Sequence, residues 1–260
     1  MKRTTTVLTA VLLAAVASGC GDSTDEATTT STEPPSTSAT TSTSSPRETS
    51  TTTTTTSAPG TTTTTEPGEL PGEPIDFGPA EGDVVAVIGV AHDDVLNLRE
   101  APGADQEIVG EIPPLEDGLV ALGETRDIGE SFWIAVDYEG TQGWVHFGFI
   151  GFLGDTTDET AAVVDDLGET PTADTMEELG LLVAESFASE EPPSDITLPI
   201  EPTVGDLGEV TYDVVGLGDD AVRGLRVHVF GEEIDGGFSL RSVEVTTLCG
   251  RGVTADRLCT

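Results

Sequence analysis

Lysine is nearly missing from this chain. Lys2 is the only one, and Lys and Arg together number 10 against 48 Asp and Glu, a formal net charge of −38. A surface this poor in cations does not track nucleic-acid phosphates, which need Lys and Arg. Anionic lipid headgroups repel it, and the like charge favours a soluble monomer. Histidine is scarce as well: His92, His146 and His228 are the only three, and none stands in an HExxH or CxxC setting. His92-Asp93-Asp94 reads as a solvated turn, because three consecutive residues do not easily face one ion. No GxSxG, no Cys placed with a His and no Ser-x-x-Lys occurs. The residues therefore point to no catalytic group, no metal and no cofactor. Long apolar runs are absent too. The run from Val7 to Val16 is roughly half of the ~20 residues a membrane-spanning helix needs.

What the amino end does have is a basic start at Lys2 and Arg3, that short apolar run, and the small residues Ala17, Ser18 and Gly19 just before Cys20. These are the parts of a secretory signal. Ala17-Ser18-Gly19-Cys20 resembles the lipobox of bacterial lipoproteins, with Ala17 standing where Leu is usual. The resemblance implies that residues 1–19 are removed and that Cys20 becomes an acylated amino terminus. The chain would then sit on the extracytoplasmic face of the cell membrane. Two or three acyl chains hold a protein there stably. An ordinary cleaved signal with an incidental Cys is the alternative. Loss of Lys2 and Arg3 takes the formal charge from −38 to −40.

With Cys20 acylated, Cys249 and Cys259 remain as an even pair, which in an oxidising compartment reads as a disulfide. Closing so short a loop is worth roughly 2–3 kcal/mol on the chain-entropy model. Two free thiols, or half of a metal site, are the alternatives. Residues 20–81 carry Cys20 and then a Thr/Ser/Pro-rich tract that includes Thr51–Thr56 and Thr61–Thr65. It has too little apolar surface to offset its ordering entropy and reads as a disordered stalk. Hydroxyl density also leaves O-glycosylation open.

Residues 82–154 change character. Short β-type runs occur at 84–90, 95–99, 108–112, 119–123 and 132–138, each bounded by Gly, Pro or Asp. Residues 141–146 pair with 132–138 across Glu139-Gly140, a tight hairpin turn. An acidic loop is expected over 124–131. Leu96-Asn97-Leu98-Arg99, Ala101-Pro102-Gly103, Ile108-Val109-Gly110, Phe132-Trp133-Ile134-Ala135-Val136 and Gly143-Trp144-Val145-His146 follow in order. Together they resemble the bacterial SH3 (SH3b) domain over about 70 residues. The resemblance implies a small SH3-like β-barrel. It also implies that Asn97 and Arg99 fix a strand-to-turn corner, and that the fold belongs to a family often tied to cell-wall polymers.

Residues 155–171 read as an acidic linker. Residues 172–260 read as a C-terminal α+β module. Asp174 and Glu177 have N-cap and N3 spacing, and Met176, Leu179, Val183 and Phe187 make one helical face. Strands are expected at 210–215, 224–230 and 238–248. Alternation puts Leu240, Ser242 and Glu244 on one side of the last strand. Arg226 and Arg241 read as neutralising the module's own acids. The expected fold class is therefore mainly β: an SH3-like barrel plus an α+β module, preceded by a disordered stalk.

The expected function is a lipid-anchored extracytoplasmic binding protein whose SH3b-like domain takes peptidoglycan or a related peptide or polymer. The alternative is a non-catalytic docking partner for a wall enzyme or secreted protein. Trp133, Tyr138 and Trp144, taken as exposed aromatics, together with His146 and Phe147, are the candidate contacts, since aromatic faces stack on sugars and peptide planes.

Overall fold

A computed structural model describes residues 69–260. The signal, Cys20 and nearly all of the Thr/Ser/Pro tract lie outside the described residues. Seven strands come first: β1 (Glu73–Pro74), β2 (Val84–Val87), β3 (Leu96–Arg99), β4 (Ile108–Ile112), β5 (Leu119–Asp127), β6 (Phe132–Tyr138) and β7 (Thr141–His146). A 3-10 turn, Phe147–Phe149, leads into β8 (Ile150–Asp158). Then follow α1 (Thr160–Leu167), β9 (Thr172–Ala173), α2 (Met176–Ser186), β10 (Asp195–Val204), β11 (Gly208–Val215), β12 (Val222–Ile234) and β13 (Gly237–Cys249). The fold is mainly β, and its antiparallel strands run in the order β10-β11-β12-β13-β8-β2-β5-β6-β7-β3-β4. Neither helix among the described residues is long and apolar enough to cross a membrane.

The β6–β7 hairpin has the expected bounds. Tyr138 pairs with Thr141, and Glu139 and Gly140 take φ values of 51° and 83°, the left-handed pair that a two-residue hairpin turn demands. Gly143 serves a purpose other than bending. Its backbone is not left-handed, but a Cβ there would lie 2.7 Å from Leu98 Cγ and 2.8 Å from the Arg99 carbonyl oxygen, so only Gly lets β7 lie against β3. The acidic loop expected over 124–131 begins later than that. β5 continues to Asp127 through an irregularity between Ala121 and Thr125, and the turn spans 128–131.

Two large apolar cores, and a third small cluster around Trp133, Ala135 and Trp144, lie along the sheet. One is enclosed by β2–β8 and includes Val85, Leu98, Ile112, Leu119, Ile134 and Val145. The other lies between α2 and the β10–β13 sheet and includes Leu179, Val183, Val214, Val227 and Val243. β8 joins them. Its first residues, Ile150 and Gly151, pair with β2, and from Phe152 to Asp158 it pairs with β13. The segment 155–171, expected as a linker, therefore carries the end of β8 and all of α1. Thr156 and Thr157 are β-branched residues that suit a strand, and the Thr156 and Thr246 hydroxyls are 2.8 Å apart across it.

The N-cap of α2 is Thr175, not Asp174: its hydroxyl accepts from the Glu178 N–H at 3.1 Å. Met176, Leu179 and Val183 are buried as the period predicts, and Phe187 is the C-cap. In β13 both Leu240 and Val243 are buried, against simple alternation. The register slips between Phe230 and Gly231, whose partners are Ser242 and Leu240, so Arg241 is an extra residue on a bulge. Cys249 and Cys259 form a disulfide, and both pack on the core enclosed by β2–β8.

Candidate functional site

The predicted contact residues do not converge. Trp133 and Trp144, expected at the surface, are only 5% and 6% exposed, and Phe147, the further candidate contact, is 8% exposed. The alternation of β6 sends Ile134 and Val136 into the core and Trp133 and Ala135 to the other face. There Trp144 joins them, and Leu70, Leu122 and Ile128 pack over the group. The Trp133 indole N–H donates to Ser131 Oγ at 3.2 Å. Phe147 sits in the core with the Arg223 guanidinium 3.9 Å above its ring and Phe77 edge-on at 5.1 Å. Tyr138 lies at the far end of β6, where burial first, then the Glu116 and Glu139 carboxylates, raise its phenol pKa.

Two of the five meet elsewhere. Trp133 and His146 line one side of a cleft of about 470 Å³, together with Phe149. The His146 ring stands edge-on to Trp133, with centroids 5.5 Å apart at 85°, and lies 5.6 Å from Phe149, which is exposed. Asp94, Asn97 and Arg99 line the same cleft, with β3 pairing directly against β7. The period of β3 explains this: Leu96 and Leu98 point into the core, and Asn97 and Arg99 point out. Arg99 Nη1 donates to the Gln106 carbonyl at 2.7 Å, closing the Ala101-Pro102-Gly103 turn as the resemblance implied.

His146 is the chemically defined group of this cleft. Its Nδ1 accepts from the Gly148 N–H at 3.1 Å, capping the 3-10 turn. Burial first, and then the Arg223 charge, lower its pKa from the ordinary 6.5. The ring is therefore neutral at pH 7, its proton is on Nε2, and that N–H has no protein partner among the described residues. The cleft can offer a hydrogen-bond donor beside the exposed Phe149 ring without adding charge.

Anion recognition is a different matter. All seven arginines of the described residues have partners within the fold. Arg226, Arg241 and Arg251 bind carboxylates, and Arg99, Arg126, Arg223 and Arg257 bind backbone carbonyls. The expected neutralisation thus holds for Arg226 and Arg241, while Arg223 and Arg257 staple the chain. Among the described residues, no group of three or more His, Cys, Asp and Glu is placed to hold a metal ion.

Sequence order, turn chemistry and the outward Asn97 and Arg99 all agree with what family comparison finds. Residues 94–150 match the family described as Bacterial SH3 domain. Asp94, Asn97, Arg99, Trp133, His146 and Phe149 all lie within the matched SH3 segment. No curated protein and no solved structure gives a significant match to the chain. Sequence reasoning missed Phe149 and Asp94 as cleft residues. The outward phase of Asn97 and Arg99 was the available signal, but the cleft is closed in part by residues far away in the chain.

Proposed function

We propose that this chain is a non-catalytic, extracytoplasmic binding protein. Its SH3 segment holds peptidoglycan, or a related wall peptide or polymer, in the cleft lined by Asn97, Arg99, Trp133, His146 and Phe149. The observation that carries this reading is the His146 imidazole set between two aromatic rings inside the matched segment. The SH3b fold is a wall-binding type of domain, which supports a general binding role. Aromatic faces suit sugars and peptide planes, and one N–H fixes orientation. Strong negative charge, with every described arginine engaged, favours a neutral or amine-bearing ligand over a phosphate-rich one.

Acylation at Cys20 completes the reading: lipid holds at the membrane a chain that its own charge would repel from anionic headgroups. Co-sedimentation with purified, teichoic-acid-free peptidoglycan tests the binding. Retention of the wild type, with loss in Phe149→Ala, is expected, and no retention of the wild type ends the proposal. A clickable fatty-acid label that marks the wild type and not Cys20→Ser is expected for the anchor; an unmarked wild type removes it.

A further inference from the structure

The cleft is not built by the SH3 segment alone. Its wall on one side is the loop Gly89–Asp94, and three contacts with the C-terminal strands hold that loop and its approach. Arg226 Nη2 donates to the Val87 carbonyl at 2.8 Å. The Gly89 N–H donates to Asp213 Oδ2 at 2.9 Å. The His92 N–H donates to the Leu198 carbonyl at 2.9 Å. Thr197, one residue before Leu198 on β10, then lines the cleft itself, and its side chain is only half-buried. Gly89, Val90, Ala91 and Thr197 all fall outside the 94–150 match.

We infer that the C-terminal module is part of the binding site: Thr197 is a specificity-determining residue that meets the ligand in the cleft alongside the aromatic residues. This rests on the proposed function. The same ligand would touch both modules at once, so the site is composite, and the SH3 segment supplies its aromatic side while β10 limits its size. Asp213 and Arg226 act as positioning residues, setting the loop through Val87 and Gly89 without touching ligand.

The test is calorimetric titration of the full-length chain, oxidised at Cys249 and Cys259, with muropeptides released from purified peptidoglycan by a muramidase. Thr197→Trp fills the cleft from the β10 side, and Thr197→Gln, a smaller change, is titrated in parallel so that the answer does not hang on one bulky side chain. Val204→Trp, on the same strand but exposed and away from the cleft, is the control. The expected result is about a tenfold or greater loss of affinity in Thr197→Trp, a smaller loss in Thr197→Gln, and no change in Val204→Trp, with all three melting as the wild type does. Wild-type affinity in both Thr197 variants overturns the inference and leaves the proposed function standing. A wild type that binds no muropeptide overturns both.

Discussion

Arg226 grips both oxygens of the Asp213 carboxylate, Nε to Oδ1 at 2.8 Å and Nη2 to Oδ2 at 3.0 Å. The two residues are cross-strand partners on β11 and β12, Asp213 is fully buried, and the Arg226 side chain is 13% exposed. The same guanidinium and carboxylate reach out of their own sheet to Val87 and Gly89. A charge pair that would be local in most sheets is here a clasp between the two halves of the fold.

Removing one partner of a buried pair strands the other. Asp213→Ala leaves Arg226 without its carboxylate and the Gly89 N–H without its acceptor. A loss of roughly 3–5 kcal/mol is expected. Both tryptophans lie in the SH3 segment, so in urea unfolding fluorescence follows that half while far-UV circular dichroism follows the whole fold, and non-coincident transitions would reveal halves that unfold apart. Coincident transitions, both shifted, are expected. A loss under about 1 kcal/mol, far below that range, would show the clasp to be ornamental.

His146 predicts a direction with pH. Its pKa is lowered on folding by burial and then by Arg223, while the unfolded chain takes up this proton near 6.5. Between those two values the unfolded state binds more protons, so stability rises with pH across the window. The contribution is fully present above pH 6.5 and is lost as pH falls from there through the folded value. In a urea series at fixed pH, His146→Gln should be flatter over this window than the wild type, and the imidazole resonance should titrate below 6.5. Titration above 6.5 would contradict the burial argument.

Gly180 sits mid-helix, where Ala ordinarily gains about 1 kcal/mol. Here a Cβ would lie 2.3 Å from Val210 Cγ1 and 2.9 Å from Tyr212 Cε2, both in buried side chains of β11. Tyr212 is further tied down because its hydroxyl donates to the Glu177 carbonyl at 3.1 Å. Gly180→Ala should therefore destabilise by about 1–3 kcal/mol from overpacking. A stabilised variant in thermal melts would mean that α2 lifts freely.

The Cys249–Cys259 bridge closes a short loop, with a sequence separation of 10, onto the core enclosed by β2–β8. Reduction, or replacement of both cysteines by Ser, should remove roughly 2–3 kcal/mol. For a unit of this size that lowers Tm by about 5–10 °C. Because the bridge packs against Phe152 and its neighbours, tryptophan fluorescence should report the shift. An unchanged melt under reductant would show the tail to be dispensable.

Local signals carried much of this fold. The Glu139-Gly140 turn marked the β6–β7 hairpin because only a left-handed pair of residues joins strands that closely. The three- and four-residue steps from Met176 marked the buried face of α2. Long-range facts were hidden. Trp133 looks like a surface platform until Leu70, Leu122 and Ile128 cover its outer face. Thr156 and Thr157 resemble linker residues until β13 pairs with them. The bulge at Arg241 breaks an alternation that the residue types alone do not contradict. That Trp133 and His146 share a neighbourhood was legible from their motif, but the presence of Thr197 in the same cleft was not, since it depends on a strand about a hundred positions from Asn97.

β8 changes partners after its first two residues, serving β2 at Ile150 and Gly151 and β13 from Phe152 onward. Such a strand has no seam at which recombination could excise one half intact. A cut after Ile150 would orphan the carbonyls that Arg223 grips and bare the edge of β13. The two halves must therefore be inherited together, and any descendant that shuffles the SH3 half alone has to invent a new flank for it.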